Sequence, residues 1–162
     1  SMLKARRLCE AGCGFVAVAL QGWDMHGNIK RSMDSRGPQV DRAVAAFVED
    51  IYQRGLEKNI LLVISGEFGR TPRINKNAGR DHWGRLSTLA LAGGGLQTGN
   101  VIGQSSPKAE FPASNTVTTQ DLMATVFHVL GIPATTHFDD QAGRPIPMLP
   151  RAVNISKFLV NP

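Results

Sequence analysis

Cysteine is nearly absent from this chain. Cys9 and Cys13 are the two it has in 162 residues, and a lone C-x-x-x-C pair builds neither a disulfide framework nor a cysteine zinc site. They read as small apolar residues of a helix and assign no redox compartment. Aromatic residues are scarce too, at 6%. With so few rings and no block of lysine or arginine, there is neither a stacking platform nor a basic stripe for nucleic acid. No apolar run reaches the length of a membrane span, so no membrane partner is expected, and no secretory signal is visible. Ser1-Met2 reads as a tag remnant followed by a start, as in a short reading frame or a part cut from something longer.

What is present is a globular composition, 42% hydrophobic and 19% charged, in a length that a single domain, 1–162, can fill. The formal net charge is +5. A scattered basic excess without rings favours a small anion as partner over a polynucleotide.

The informative pattern is where acids and imidazoles fall. The apolar run Phe15 to Leu20 leads into Gly22-Trp23-Asp24-Met25-His26-Gly27-Asn28, and Ile60 to Ile64 leads into Ser65-Gly66-Glu67-Phe68-Gly69-Arg70-Thr71-Pro72. Asp81-His82 follows a loop later. Continuous apolar runs of this length read as strands buried on both faces. Between them Ala43, Val44, Phe47, Val48, Ile51, Tyr52 and Leu56 recur at helical spacing from Val40 onward. Strand, helix, strand predicts a βαβ unit with parallel strands and a right-handed crossover.

Around that unit, Leu3 to Ala11 reads as a helix ended by Gly12 and Gly14, and Gly22 to Pro38 as a polar loop. No helical pattern between Glu67 and Leu86 returns the chain across the sheet. A third strand over Leu86 to Ala92 is therefore expected to run antiparallel to the second. Gly93-Gly94-Gly95 lacks the lysine and the following helix of a phosphate loop and reads as a turn. A short strand is expected at Val101 to Gly103. Thr118 to Asp121 resembles a capping box opening a helix that Gly131 stops. The tail from Thr135 carries at most one element, near Ile155 to Val160.

On this topology the three clusters return to one sheet edge, where open α/β sheets bind ligands. Asp24, His26, Glu67, Asp81 and His82 are thus candidate ligands for a divalent metal. Mixed carboxylate and imidazole donors fit Zn, Mn or Fe, and oxygen-rich variants fit Mg or Ca. Asp24 and His26, two apart in extended chain, project to the same side. Arg70 and Arg80 stand in a basic loop beside them and are candidates for holding an oxyanion, against the alternative of a solvated loop balancing local carboxylates. Trp23 and Trp83 are expected to pack at the sheet edge. His128 and His137 are expected to be structural or solvent-facing.

The three motifs above, with Gly79-Arg80-Asp81-His82-Trp83 and the stretch from Asp121-Leu122-Met123-Ala124-Thr125 to Leu130-Gly131-Ile132, resemble the DUF1501 proteins, a branch of the alkaline phosphatase and sulfatase superfamily. The resemblance implies an α/β fold with a mostly parallel sheet flanked by helices, alkaline-phosphatase-like, with at least one antiparallel strand. It also implies one or two divalent metal ions and hydrolysis of small anionic phosphate or sulfate esters. By position Asp24, His26 and His82 match superfamily ligands, while Phe68 stands where a ligand imidazole is expected. Nothing before Phe15 matches the superfamily nucleophile, and Cys9 and Cys13 lack a Cys-x-Pro-x-Arg setting. The chain therefore resembles the C-terminal, metal-site half of such an enzyme, incomplete for catalysis alone. The other reading is a non-catalytic binding or assembly module that keeps part of the site. A sheet stripped of neighbours would form a homodimer through its exposed edge, and relatives of full length are expected to be exported.

Overall fold

Two helices and one antiparallel strand pair carry the core. In a computed structural model that describes residues 1–149, helix α1 (Met2–Glu10) lies against the long helix α2 (Ile29–Gln53). Phe47, Ile51 and Ile60 form the buried cluster, with Met2, Cys9, Leu56 and Leu62 packed on it. The Phe47-to-Ile51 spacing of four places both side chains on one α2 face. A buried guanidinium joins the helices: Arg6 Nε lies 2.5 Å from Asp50 Oδ2, Arg6 also pairs with Glu10, and Arg54 Nε reaches Asp50 Oδ1 at 2.7 Å. The helix end expected near Gly12 is there, with Gly12 at φ 97° and the Cys13 N–H donating to Leu8 O.

The first half of α2 lies where a polar loop, Gly22 to Pro38, was expected. Its exposed first turns carry a Lys30–Asp34 ion pair of 2.6 Å and hold Pro38 within the helix. Apolar periodicity marks only the part of a helix that packs, and these turns pack on little.

Strand β1 (Leu61–Ser65) pairs antiparallel with a strand near its C-terminal side in sequence, Leu89–Gly93, placing Val63 opposite Leu91. The antiparallel return is as the missing crossover helix required. Between these two lie β2 (Gly69–Arg70) and β3 (His82–Trp83), a second antiparallel pair, so that the Leu89–Gly93 strand is β4. Gly93 turns at φ 78°, and a Cβ there would meet Ile60 O at 2.2 Å. Beyond the turn come β5 (Gln104–Ser105) with β6 (Pro112–Ser114), then α3 (Thr119–Val129), then the hairpin β7 (His137–Asp139) and β8 (Pro145–Pro147). Helix α3 opens on the expected capping box: Thr118 Oγ1 accepts from the Asp121 N–H at 3.2 Å, and Asp121 Oδ2 accepts from the Thr118 N–H at 2.8 Å.

The mostly parallel, alkaline-phosphatase-like α/β fold is not what this chain forms. Among the described residues the strands make four two-stranded sheets, every pair antiparallel, with three helices. The expected first strand, Phe15 to Leu20, is not a strand, and the βαβ unit is absent with it. A β-prone sequence becomes a strand only when its N–H and C=O groups find a ladder, and none is offered to this one. Val101 to Gly103 is likewise unpaired, with Val101 94% exposed. The β7–β8 hairpin lies in a tail expected to hold nothing before Ile155, and the element expected near Ile155 to Val160 lies outside the described residues. Among the described residues no helix is long and apolar enough to cross a membrane.

Candidate metal centre

Two loops build the site, residues 22–28 and residues 69–83. They are joined by backbone. Gly27 bridges Ala78, the N–H groups of Asn28 and Ile29 donate to Asn77 O and Ala78 O, and the Arg80 N–H donates to Met25 O at 3.1 Å. Met25 is buried at the seam. Gly79 permits the close approach, since a Cβ there would sit 2.1 Å from His26 C and 2.2 Å from His26 O. The β2–β3 ladder sets Arg70 opposite His82. Convergence of the two loops thus comes from antiparallel pairing, not from the shared end of two parallel strands.

At the meeting point, three side chains present one atom each to the same small space. Asp24 Oδ1 lies 2.9 Å from His82 Nε2 and 3.0 Å from His26 Nε2, and the two Nε2 atoms are 3.2 Å apart. The rings of His26 and His82 are tilted at 47° with centroids 4.8 Å apart, and Phe68 packs on the His82 ring at 4.4 Å. Asp24, His26 and His82 are the group among the described residues whose ligand-type atoms lie close enough together that they could hold a metal ion.

The surroundings fix these atoms. Asp81 Oδ1 is 2.7 Å from His26 Nδ1. The hydrogen bonds of His26 first and Asn75 second hold the Asp81 carboxyl below its ordinary range. An ionised carboxylate only accepts, so His26 Nδ1 is the donor to Asp81 Oδ1. Asn75 Nδ2 donates to Asp81 Oδ1 and to His26 O, both at 3.1 Å, while Asn75 Oδ1 accepts from the N–H groups of Asn77 and Gly79. The Asp24 carboxyl is lowered to about 2, by the His82 hydrogen bond and then by that of Arg70.

Of the seven residues singled out from sequence, the structure gathers five and leaves two apart or differently employed. Asp24, His26 and His82 converge, Asp81 stands behind His26, and Arg70 Nη2 donates to Asp24 Oδ1 at 2.6 Å and to Trp23 O at 3.2 Å. Arg80 Nη1 donates to the carbonyls of Thr71 and Pro72 at 2.6 and 2.8 Å, tying the loop together. Glu67 is exposed and stands outside the Asp24, His26 and His82 group. Trp83 packs as an edge residue: its indole N–H donates to Glu110 O at 2.8 Å and Arg85 lies over its ring. His128 and His137 are solvent-exposed. Sequence reasoning missed Asn75, Gly79 and Thr71, whose Oγ1 accepts from the Asp81 N–H at 3.1 Å. The signal for Asn75 and Gly79 was the turn composition Asn75-Lys76-Asn77-Ala78-Gly79 just ahead of Arg80-Asp81; Thr71 lies outside it.

A family model described as "Protein of unknown function (DUF1501)" matches residues 1–159, and the chain belongs to that family. No curated protein and no solved structure matches the chain.

Proposed function

We propose that this DUF1501 protein binds a divalent transition-metal ion through Asp24, His26 and His82, and that the bound ion serves hydrolysis of a small phosphate or sulfate ester. One observation carries the proposal. Three ligand atoms of the right chemistry lie 2.9 to 3.2 Å from one another. Two ligands about 2.0–2.1 Å from a shared tetrahedral ion are separated by about 3.3 Å, so the triangle reaches that size by opening a few tenths of an ångström. Two imidazole nitrogens and one carboxylate oxygen suit Zn, Mn or Fe better than Mg or Ca, which prefer all-oxygen shells.

The protein's own residues hold the donors ready. Asp81 sets the His26 tautomer, Asn75 sets Asp81, and Arg70 steadies Asp24 and anchors its loop through Trp23 O. When bound, the ion would supply Lewis-acid polarisation of an ester oxygen. The side chains of Asp24, His26 and His82 are 45 to 66% exposed, so a substrate can reach the site from solvent. The test is hydrolysis of aryl phosphates and aryl sulfates with added Zn or Mn. Turnover that disappears in His82→Ala supports the reading, and turnover unchanged in that variant refutes it.

A second reading, metal binding without catalysis, is favoured by one detail. The Arg70 and Arg80 guanidinium groups, which would otherwise grip an oxyanion, donate to carbonyls and to Asp24. Metal uptake with no turnover of either ester class would select it.

A further inference from the structure

We infer that Cys9 and Cys13 are a site of reversible oxidation, at which Cys13 exchanges with a small-molecule disulfide and Cys9 closes an intramolecular bond to it. Sequence placed both cysteines in one helix as small apolar residues. Instead α1 ends at Glu10, and the chain reverses before the second cysteine. The Gly12 N–H donates to Cys9 O and the Cys13 N–H to Leu8 O, both at 3.0 Å, with Gly12 at φ 97°. These two bonds make a Schellman turn. A helix continued through Cys13 would hold the two Cβ atoms about 5–6 Å apart, too far for a disulfide, which needs about 3.5–4.5 Å. The turn takes Cys13 off that path and clasps it to the last helical turn, which carries Cys9. The thiols also sense each other: burial first, then the charge of Cys13, pushes the Cys9 thiol up.

Access divides the two roles. Cys13 is exposed, and a Cβ added at Gly12 or Gly14 beside it would meet nothing within 4 Å, so a reagent reaches this sulfur from solvent. Cys9 is half-buried and packs on the Phe47, Ile51 and Ile60 cluster, which screens it from direct attack. The Cys13 thiolate attacks one sulfur of a low-molecular-weight disulfide such as oxidised glutathione, and the other half leaves as a thiol that carries the Cys13 proton. Cys9 then attacks the Cys13 sulfur and expels the second half, which takes the Cys9 proton. Two protein thiols are oxidised and one small disulfide is reduced to two thiols. The ring encloses Glu10, Ala11 and Gly12, and the glycine gives its backbone room to adjust. Neither sulfur belongs to the Asp24, His26 and His82 group, so this inference does not depend on what that group binds.

The test treats the intact, reduced chain with oxidised glutathione and follows it by mass spectrometry and thiol titration. The expected product is a monomer lighter by two hydrogens, with both thiols lost, no glutathione retained, and both thiols restored by dithiothreitol. Cys9→Ser should stop at a glutathione adduct on Cys13, and Cys13→Ser should gain little adduct in the same time. Ring closure is expected to slow in denaturing urea, where the turn that clasps Cys13 is lost. A stable adduct on the unaltered chain, a disulfide-linked dimer, or two thiols that persist would each overturn the inference. Closure as fast in urea as in the folded protein would overturn it too. The unaltered chain decides should either variant fail to fold.

Discussion

Asp81 touches the site only through His26, at 2.7 Å from Nδ1, and is held there by Asn75. Asp81→Asn keeps the shape and removes the charge that fixes the His26 tautomer. Metal affinity is expected to fall about 10- to 100-fold with the far-UV spectrum unchanged, read by calorimetric titration; an unchanged affinity would deny Asp81 that role. Gly79 is the other sensitive residue. In Gly79→Ala the new methyl meets the His26 backbone at 2.1 Å, where neighbouring backbone has little room to give. A cost of about 1–3 kcal/mol is expected from urea unfolding, together with weaker metal binding, because the methyl pushes the 22–28 loop from its partner. At this scale the sequence was more direct about ligands than about their supports. Asp24, His26 and His82 stand out by chemistry, whereas the composition around Asn75 and Gly79 marks a turn without showing which backbone that turn holds.

Among the elements, the docking of α1 on α2 depends on a carboxylate. Asp50 receives Arg54 and Arg6, and its carboxyl is held below the ordinary range, by the Arg54 hydrogen bond first, then by the Arg54 charge and the Arg6 charge after it. A group whose folded value is depressed contributes stability that is fully present above its unfolded value, about pH 4. That contribution is lost as pH falls through the lower folded value. Urea midpoints are therefore expected to drop on acidification below about pH 4, with a shallower drop in Asp50→Asn. Equal slopes in the two proteins would remove Asp50 from the account. Ile51, fully buried in the α2 core cluster, is expected to cost about 2–5 kcal/mol as Ile51→Ala, measured by the same unfolding. The element reading from sequence succeeded where signals are local: the capping box of α3, the glycine turn after β4, the packed half of α2. It failed at Phe15 to Leu20, because pairing is decided by what lies opposite and six apolar residues do not carry that information. It also missed the first turns of α2, whose exposed face leaves no apolar period to read.

For the molecule as a whole, the described residues bury few large apolar side chains. Phe47, Ile51, Ile60, Met25 and Leu96 are the principal ones, and the strands stop at pairs instead of building a layered sheet. The expectation of one continuous parallel sheet rested on two apolar runs being neighbours; they are not, and the loops meet instead through the Gly27–Ala78 bridge and the β2–β3 ladder. The site is thereby the place where distant parts of the chain are held together, and an ion shared by Asp24 and His26 from one loop and His82 from the other would add a further tie. Binding to the folded state alone raises stability by mass action, so the metal should protect against unfolding as well as bind. The most direct measurement is titration of the metal-free protein with Zn and Mn, followed by calorimetry and by metal analysis after gel filtration, on the unaltered chain and on Asp24→Ala and His82→Ala. The account predicts one ion retained per chain, with a raised unfolding midpoint, and loss of both effects in each variant. No retained ion, or retention equal in the variants, would contradict it.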